Sequence, residues 1–378
     1  MEPCRVAPIY TAGVISSLKT LDWSGFLARP GVAPPSRESL EELRQAPILV
    51  VGAGGSIGSA LASRLAALEP PGLVLLEASE SHLYALQRQW AAAHTAAPAV
   101  FRLGSVGDRA LLEEIFAVHA PALVFHAAAF KHVPLLEQQP LAAIENNVFG
   151  TLALMEAANG AHVILLSTDK AVDPTSVMGA TKRVAEQIVL SAGGTALRLG
   201  NVLASRGSVA EVFARQIAAG SPLTITDPAA LRYFLTMDEA VNLLLSAALE
   251  TESPSLLAPA LPAPHPVTEL ARFMARELAP GRAIPMDFTG PRPGDKETEQ
   301  FWSNAEMPRP AKAEGMLSIA SPMLSSGRLR SALAHLRAAL DARDLAAALT
   351  HLQALVPDYT PSPALVWLAG QSISRVNG

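Results

Sequence analysis

The stretch Pro47 to Gly58, PILVVGAGGSIG, constrains the fold more than any other part of the 378-residue chain. Residues 47–51 are an apolar run of strand length, Gly52-Ala53-Gly54-Gly55-Ser56-Ile57-Gly58 interrupts it, and an Ala/Leu-rich helical pattern follows over about 59–68. Strand, glycine turn and helix in that order make a phosphate cradle. Gly52 permits the tight turn, Gly55 lets backbone approach a pyrophosphate, Gly58 lets helix and strand pack closely, and the helix N-terminus supplies oriented N–H groups. A second strand, 73–76, ends in Glu77, 19 positions after Gly58, where a ribose-binding acid is expected in such a βαβ unit. Gly54, Ser56 and Ile57 complete the cofactor turn, and Ser79 stands at the start of the next helix.

The alternation then continues: strand 100–103, helix 109–117, strand 123–126, one long helix to about 158, and strands 162–166 and 196–199. Repeated strand-helix units of this spacing predict an α/β fold with a Rossmann-like, doubly wound parallel sheet, and a ligand lying across the strands' carboxyl ends. Bulk properties exclude several classes. Charged residues break every apolar run short of the roughly 18 residues a membrane span needs. The first residues lack the basic start and apolar block of a leader, so a cytoplasmic address is expected. Cys4 is the only cysteine, so no internal disulfide forms, and no Cys/His cluster suggests a metal. A net charge of −5 offers no field for nucleic acid, which leaves phosphate binding to local arginines and helix termini.

The chemistry concentrates in LLSTDKAVDPTSVMGATKR, residues 165–183. An apolar strand ends in Ser167, Thr168, Asp169 and Lys170. Asp173-Pro174 forces a turn, and a helix resumes near Ser176 with Met178 and Lys182 four residues apart on one face. This arrangement resembles the extended short-chain dehydrogenase/reductases, in which Y-x-x-x-K lies beside a nicotinamide ring, except that Met178 stands at the tyrosine position. TDKA followed by MGATKR resembles the capsule-type nucleotide-sugar 4,6-dehydratases of that superfamily, in which methionine often replaces the tyrosine. The resemblance spans about 26–363 and implies NAD as cofactor, Lys182 on its ribose, and a UDP-sugar as substrate. Ser105 stands where the family usually carries an adenine-contacting Asp, with Val106 as adjoining wall. Ala127, Ala128 and Ala129 leave room for the ribose and nicotinamide, with Lys131 beside them. His126 and His132 read as structural, and Asn147 as ordering the active site.

Beyond Leu199 the chain changes character. GNVLASRGSV, RYFLTMDEAV and GPRPGDK resemble the family's sugar-nucleotide motifs, and Asn201, Arg206, Ser208, Arg232, Arg292 and Lys296 within them, with Lys131, Gln216 and Thr224 outside them, are the expected substrate residues. Arg206, Arg232 and Arg292 are the candidates to clamp a diphosphate, because a planar guanidinium matches phosphate oxygens two at a time. A helix over 209–219, a strand over 223–226 and a helix from an Asp238 cap to about 249 build this lobe. Leu329, Leu333, Leu336 and Leu340, then Leu345, Leu349 and Leu352, mark a helical hairpin expected to pack on it. The expected division is an N-terminal arm (1–46), a nucleotide-binding domain (47–200) to which later segments return, a mainly substrate-binding lobe (201–322), and a helical hairpin with a tail (323–378). The arm, closed by a short helix at 39–44 capped by Ser36, is expected to pack on the domain. In membrane-bound relatives a similar segment follows a transmembrane region, so the chain reads as the catalytic part alone. A homo-oligomer, dimer or higher, is expected.

The implied reaction removes water from a UDP-linked N-acetylhexosamine in three stages. Hydride leaves C4, a base and an acid eliminate water across C5 and C6, and hydride returns to C6. Lys170 is the expected base, as an amine made neutral by burial, and Asp169 the acid, with the exchanged assignment open. Met178 cannot exchange a proton, so Thr168, a water or Asp169 must take the 4-hydroxyl proton. A 4-epimerase or dehydrogenase, or a binding protein of the same fold, are the alternatives. Glu77 would accept ribose hydroxyls and repel a 2′-phosphate, so NAD should bind more tightly than NADP. Dissociation constants for both cofactors check this; equal binding removes Glu77 from its role.

Overall fold

The computed structural model describes residues 18, 20–93, 98–250 and 254–376; Cys4 and the opening residues read for a leader lie outside them. Strands β1 (Ile48–Val51), β2 (Leu73–Glu77), β3 (Ala99–Leu103), β4 (Leu123–His126), β5 (His162–Thr168), β6 (Thr195–Leu199), β7 (Ser255–Pro259), β8 (Met307–Pro310) and β9 (Met316–Ala320) form one sheet. Its order is β8-β9-β7-β6-β5-β4-β1-β2-β3. Neighbours from β7 through β3 run parallel, and β8 and β9 add an antiparallel edge. The doubly wound α/β sheet expected from the alternation is therefore present. β1 pairs with both β2 and β4, so the winding reverses there and a crevice opens over the carboxyl ends.

Successive strand residues point to opposite faces, and both faces are covered. Ile48 and Val50 meet Leu61 and Leu65 of α2 (Ser56–Ala66), together with Leu243 and Leu244. Leu49 and Val51 meet Leu112, Ile115 and Leu154 on the other side. The short helix α1 (Arg37–Arg44), capped by Ser36, sets Leu43 into the first of these clusters, as expected of the arm. Trp23, Phe26 and Leu27 depart from that expectation and pack with Phe213, Leu270 and Met274 of the lobe.

Several helix boundaries differ from the sequence reading. Helix α2 begins at Ser56 rather than near 59. The single helix expected before residue 158 is four pieces: α5 (Val133–Gln138), α6 (Pro140–Ile144), a π-helical segment Glu145–Phe149, and α7 (Gly150–Ala157), after α3 (Glu80–Ala92) and α4 (Arg109–His119). Pro140 has no N–H to continue the helix before it. After α8 (Val177–Ser191) and α9 (Val209–Ala219), α10 (Met237–Ala248) is capped by Thr236, which exchanges bonds with Glu239, and not by Asp238.

After α11 (Val267–Leu278), the leucine stripes form α12 (Ser326–Asp341) and α13 (Leu345–Leu355), followed by α14 (Pro363–Val376). The hairpin does not pack on the lobe. Leu333, Leu336 and Leu352 join Ile144, Val148, Val184 and Ile188, so it covers α8 on the nucleotide-binding side.

One polar cluster crosses this apolar frame. Arg198 on β6 is fully buried, with Nε and Nη2 each donating at 2.9 Å to Glu186 of α8. Nη1 and Nη2 reach Glu306 at 2.7 and 2.9 Å, and Nη1 also donates to the Phe301 carbonyl at 2.8 Å. Burial alone would lift the Glu306 carboxyl from its ordinary 4.5, but Arg198 and Arg183 hold it at about 2. Burial likewise opposes charge on Glu186, and Arg198 outweighs it and keeps this carboxyl low as well. Groups depressed in the folded state stabilise it above their unfolded pKa and lose that contribution as pH falls through the folded value. Unfolding midpoints should therefore drop between about pH 4.5 and about pH 2. A Glu306→Gln variant should show a shallower drop in the same melts; a parallel pH dependence would contradict this.

Candidate active site

A cleft of about 1320 Å³ opens over the carboxyl ends of β1, β2, β4, β5 and β6. At its nucleotide end Gly52 has φ 81°, and a Cβ there would stand 2.6 Å from the Ala128 nitrogen, so no larger residue fits this turn. Gly52, Gly55, Ser56 and Ile57 line the cleft. Gly58 does not; a Cβ on it would stand 2.1 Å from the Gly52 carbonyl, so it serves helix-to-turn packing. Gly54 is also off the wall, and its N–H donates to Glu77 Oε2 at 2.8 Å. Glu77 Oε1 accepts from Ser79 N at 2.9 Å, so this carboxylate braces the turn as well as lining the cleft beside Ser79. Ser105, Val106, Ala127, Ala128 and Ala129 line the same end.

At the chemical end β5 stops at Thr168 and a 3-10 turn, Asp169–Ala171, follows. Asp169 Oδ1 accepts from Thr168 Oγ1 and from Lys170 Nζ, both at 2.9 Å. Asp169 Oδ2 is buried without a partner among the described residues. Lys170 Nζ also donates to Asn201 Oδ1 at 3.1 Å and lies 3.6 Å from Glu299 Oε1. Thr168, Lys170, Asn201 and Glu299 line the cleft, whereas Asp169 is fully buried behind them.

Charge at this end departs from the expected neutral amine. Burial works against a charge on Lys170, but the Asp169 and Glu299 carboxylates outweigh it and hold the ammonium above the usual lysine range. Burial, reinforced by Glu299 against the pull of Lys170, lifts the Asp169 carboxyl above the usual aspartate range. Met178 and Lys182 of α8 line the cleft as expected of one helix face. A Cβ at Gly179 would stand 2.2 Å from the Lys170 carbonyl, so glycine lets α8 lie directly on the turn. Burial pushes Lys182 down to about 8, against the opposing charge of Glu186.

Asn147, in the π-helical segment, accepts from Phe130 N at 2.8 Å and donates to Phe130 O at 3.0 Å and Thr181 Oγ1 at 3.1 Å. It thereby ties the loop after β4 to α8. His126 is a buried structural group, bonded to Thr151 at 2.9 Å and pushed by burial and Lys182 down to about 3.

On the substrate side Lys131 Nζ donates to the Arg206 carbonyl at 2.8 Å, Arg206 N donates to Ser56 Oγ at 2.9 Å, and the Arg206 guanidinium donates to the Gly54 carbonyl. The three arginines line one cleft, yet each already has protein partners. Arg232 donates to the carbonyls of Leu231, Lys296 and Glu297, and Arg292 pairs with Asp295 at 2.9 Å. Ser208 lines the wall with its Oγ buried and unpartnered among the described residues, and Thr224 lines it too. Two residues assigned to substrate are placed elsewhere. Gln216 spends its amide on Thr224, at 2.8 and 3.2 Å, and Lys296 points to the Val172 carbonyl and to Glu299. Glu299 is the wall residue the sequence reading missed; its only signal was an acid three positions after Lys296.

Residues 48–321 match the family described as polysaccharide biosynthesis protein. The chain belongs to that family. It is 36% identical over 309 residues to the probable polysaccharide biosynthesis protein EpsC of Bacillus subtilis, covering 79% of this chain and 51% of EpsC, so it spans about half of that relative's length. It is 33% identical over 285 residues to a UDP-glucose 4-epimerase of Rickettsia canadensis, covering 71% of this chain and 80% of the epimerase. The X-ray structure of Pen from Bacillus thuringiensis superposes with a TM-score of 0.68 at 26% identity, covering 74% of this chain and 89% of Pen. The family match and the epimerase relative thus place the chain among polysaccharide biosynthesis proteins that have a UDP-glucose 4-epimerase among their relatives. No helix among the described residues is long and apolar enough to cross a membrane.

Proposed function

We propose that the protein is an NAD-dependent nucleotide-sugar 4,6-dehydratase acting on a UDP-linked N-acetylhexosamine, with UDP-N-acetylglucosamine the first substrate to test. One observation carries the reading: the bonded Thr168, Asp169 and Lys170 at the end of a cleft that an apolar Met178 also lines, where a phenol would otherwise exchange protons. A simple redox site needs one proton acceptor; an elimination needs a base and an acid together.

The residues fit a dinucleotide. Gly52 leaves a turn that a Cβ would close at 2.6 Å, the start of α2 faces the cleft, and Glu77 stands beside it as a ribose acceptor. Bound there, NAD would accept hydride from C4 and return it to C6. Lys182 would hold the ribose. Thr168 is the cleft-lining hydroxyl that would accept from the 4-hydroxyl, and that proton leaves to water in the cleft, so the oxidation does not change the proton count of Asp169 and Lys170. The resulting ketone acidifies the C5 proton. Lys170 becomes a base by passing its proton 2.9 Å to Asp169, an exchange that the bound sugar favours by excluding the water that stabilises separated charges. The C5 proton then goes to Nζ, and Asp169 returns its proton through Thr168 to the departing 6-hydroxyl; as hydride reaches C6, Nζ gives a proton back to C5, and a proton from water restores the pair. The raised Asp169 carboxyl suits that task.

The Rickettsia relative favours a second reading, UDP-sugar 4-epimerase. Mass analysis after incubation with UDP-N-acetylglucosamine separates them: loss of one water supports dehydration, and an unchanged mass with inverted C4 supports epimerisation. Lys170→Met should abolish water loss and solvent-deuterium incorporation at C5, a fall of roughly 10²–10⁴-fold for a lost proton-transfer group. Dehydration near the parent rate would remove Lys170 as base. Met178→Leu should keep substantial turnover while Lys182→Ala weakens cofactor binding; complete loss in a folded Met178→Leu would assign the thioether an essential role.

A further inference from the structure

The Asp169–Lys170 pair has a third member that the reaction scheme above leaves unused. Glu299 is 2% exposed, lines the cleft, and lies 3.6 Å from Lys170 Nζ. Lys170 needs one counter-ion, and Asp169 already bonds to it at 2.9 Å. Glu299 pairs with Lys296 as well, at 3.4 Å, so its charge is held independently of the proton exchange between Asp169 and Lys170.

Proton counting supplies the use, on the dehydratase reading just given. Before elimination the pair holds one transferable proton, on either Lys170 or Asp169. When the C5–H bond breaks, its electrons move toward the C4 oxygen and its proton goes to Lys170 Nζ, so the pair holds two protons: an ammonium beside a neutral acid. Asp169 can no longer balance the ammonium. The C6–O bond then breaks, the hydroxyl takes the Asp169 proton through Thr168 and leaves as water, and the pair returns to one proton. We propose that Glu299 is a positioning residue, the fixed counter-ion of Lys170 for as long as Asp169 is protonated.

The surroundings suit a charge that stays put. Lys296 Nζ lies 3.4 Å from Glu299 Oε2, and Arg232 is anchored close by through the Lys296 and Glu297 carbonyls. Burial alone would lift the Glu299 carboxyl, but Lys170, Lys296 and Arg232 hold it below the usual range. Asp169 is lifted instead, in part by Glu299. The remaining groups facing the pair are the neutral Asn201, and Tyr233, whose phenol burial and Asp169 keep protonated. One carboxyl therefore titrates for the reaction and the other does not.

The test pairs a titration of the unliganded protein with turnover. In lysine-labelled protein the Lys170 side-chain resonance, assigned by its loss in Lys170→Met, is followed against pH by NMR. Glu299→Gln, nearly isosteric, should move the Lys170 midpoint down. With UDP-N-acetylglucosamine it should slow water loss and C5 deuterium exchange by up to roughly 10²-fold, with KM little changed and the pH profile displaced to lower pH. Glu299→Asp keeps the charge and should recover part of the rate, and it stands in should the glutamine variant fail to fold. A Lys170 midpoint that stays in place, or dehydration by Glu299→Gln at the parent rate, overturns the proposal. If the parent protein never removes water, the dehydratase reading falls and takes this role with it, which the unliganded titration distinguishes from a misplaced counter-ion.

Discussion

The five bonds made by the Arg198 guanidinium are the constraint on which the rest of the molecule depends. Its five N–H donors meet five acceptors: two oxygens of Glu186, two of Glu306 and the Phe301 carbonyl. A fully buried cation is tolerable only with such complete pairing, because removal of either carboxylate would strand charge in a dry interior. The geometry of three segments is thereby set at once. β6 carries Arg198, α8 carries Glu186, and the strap between Glu299 and Glu306 is drawn in over the sheet edge. Met178 and Lys182 belong to α8 and Glu299 begins the strap, so the cleft's chemical end inherits its spacing from a cluster that does not touch the cleft.

Two lysines in that end, Lys182 buried and Lys170 half-buried, carry opposite electrostatics for a reason visible in their neighbours. Burial opposes the charge of both. Lys182 has only the Glu186 charge to set against it, and Glu186 is engaged by Arg198 and Arg183, so burial wins and the amine falls to about 8. Lys170 faces Asp169 and Glu299, and the two carboxylates prevail. Helix α8 reaches the pair only because Gly179 admits the Lys170 carbonyl. The MG step thus brings a low-pKa lysine suited to a cofactor ribose within one helical turn of a turn bearing a charged one.

What the sequence made legible was local. Strand-length apolar runs, the glycine turn, Glu77 at its spacing and the leucine stripes all report through neighbours a few residues away, and their elements formed where expected. The charge of Lys170 rests first on Asp169 beside it and then on Glu299, 129 positions later, and no local pattern carries the second contribution. The hairpin's docking was hidden for the same reason: its leucines state that a face is buried, not that α8 rather than the lobe buries it. Gln216 and Lys296 were misplaced because residue type names what a side chain can bond, while here Thr224, Val172 and Glu299 had already claimed them. Thr236 won the cap from Asp238 through the reciprocal bond that Glu239 could offer only one turn earlier.

Met178 shows how these levels meet. Its side chain is 5% exposed and belongs to the apolar cluster of Val133, Leu136 and Val177, the same layer that the C-terminal hairpin closes. Methionine fills the wall, and its flexible thioether accommodates whatever the facing ligand leaves open. On the proposed reading, proton transfer then falls to the end of β5, where Thr168 lines the wall and Asp169 lies buried behind it. Met178 and the TDK turn are on that reading one feature: an apolar helix face beside a reacting sugar works only when the transferable protons are held by the turn.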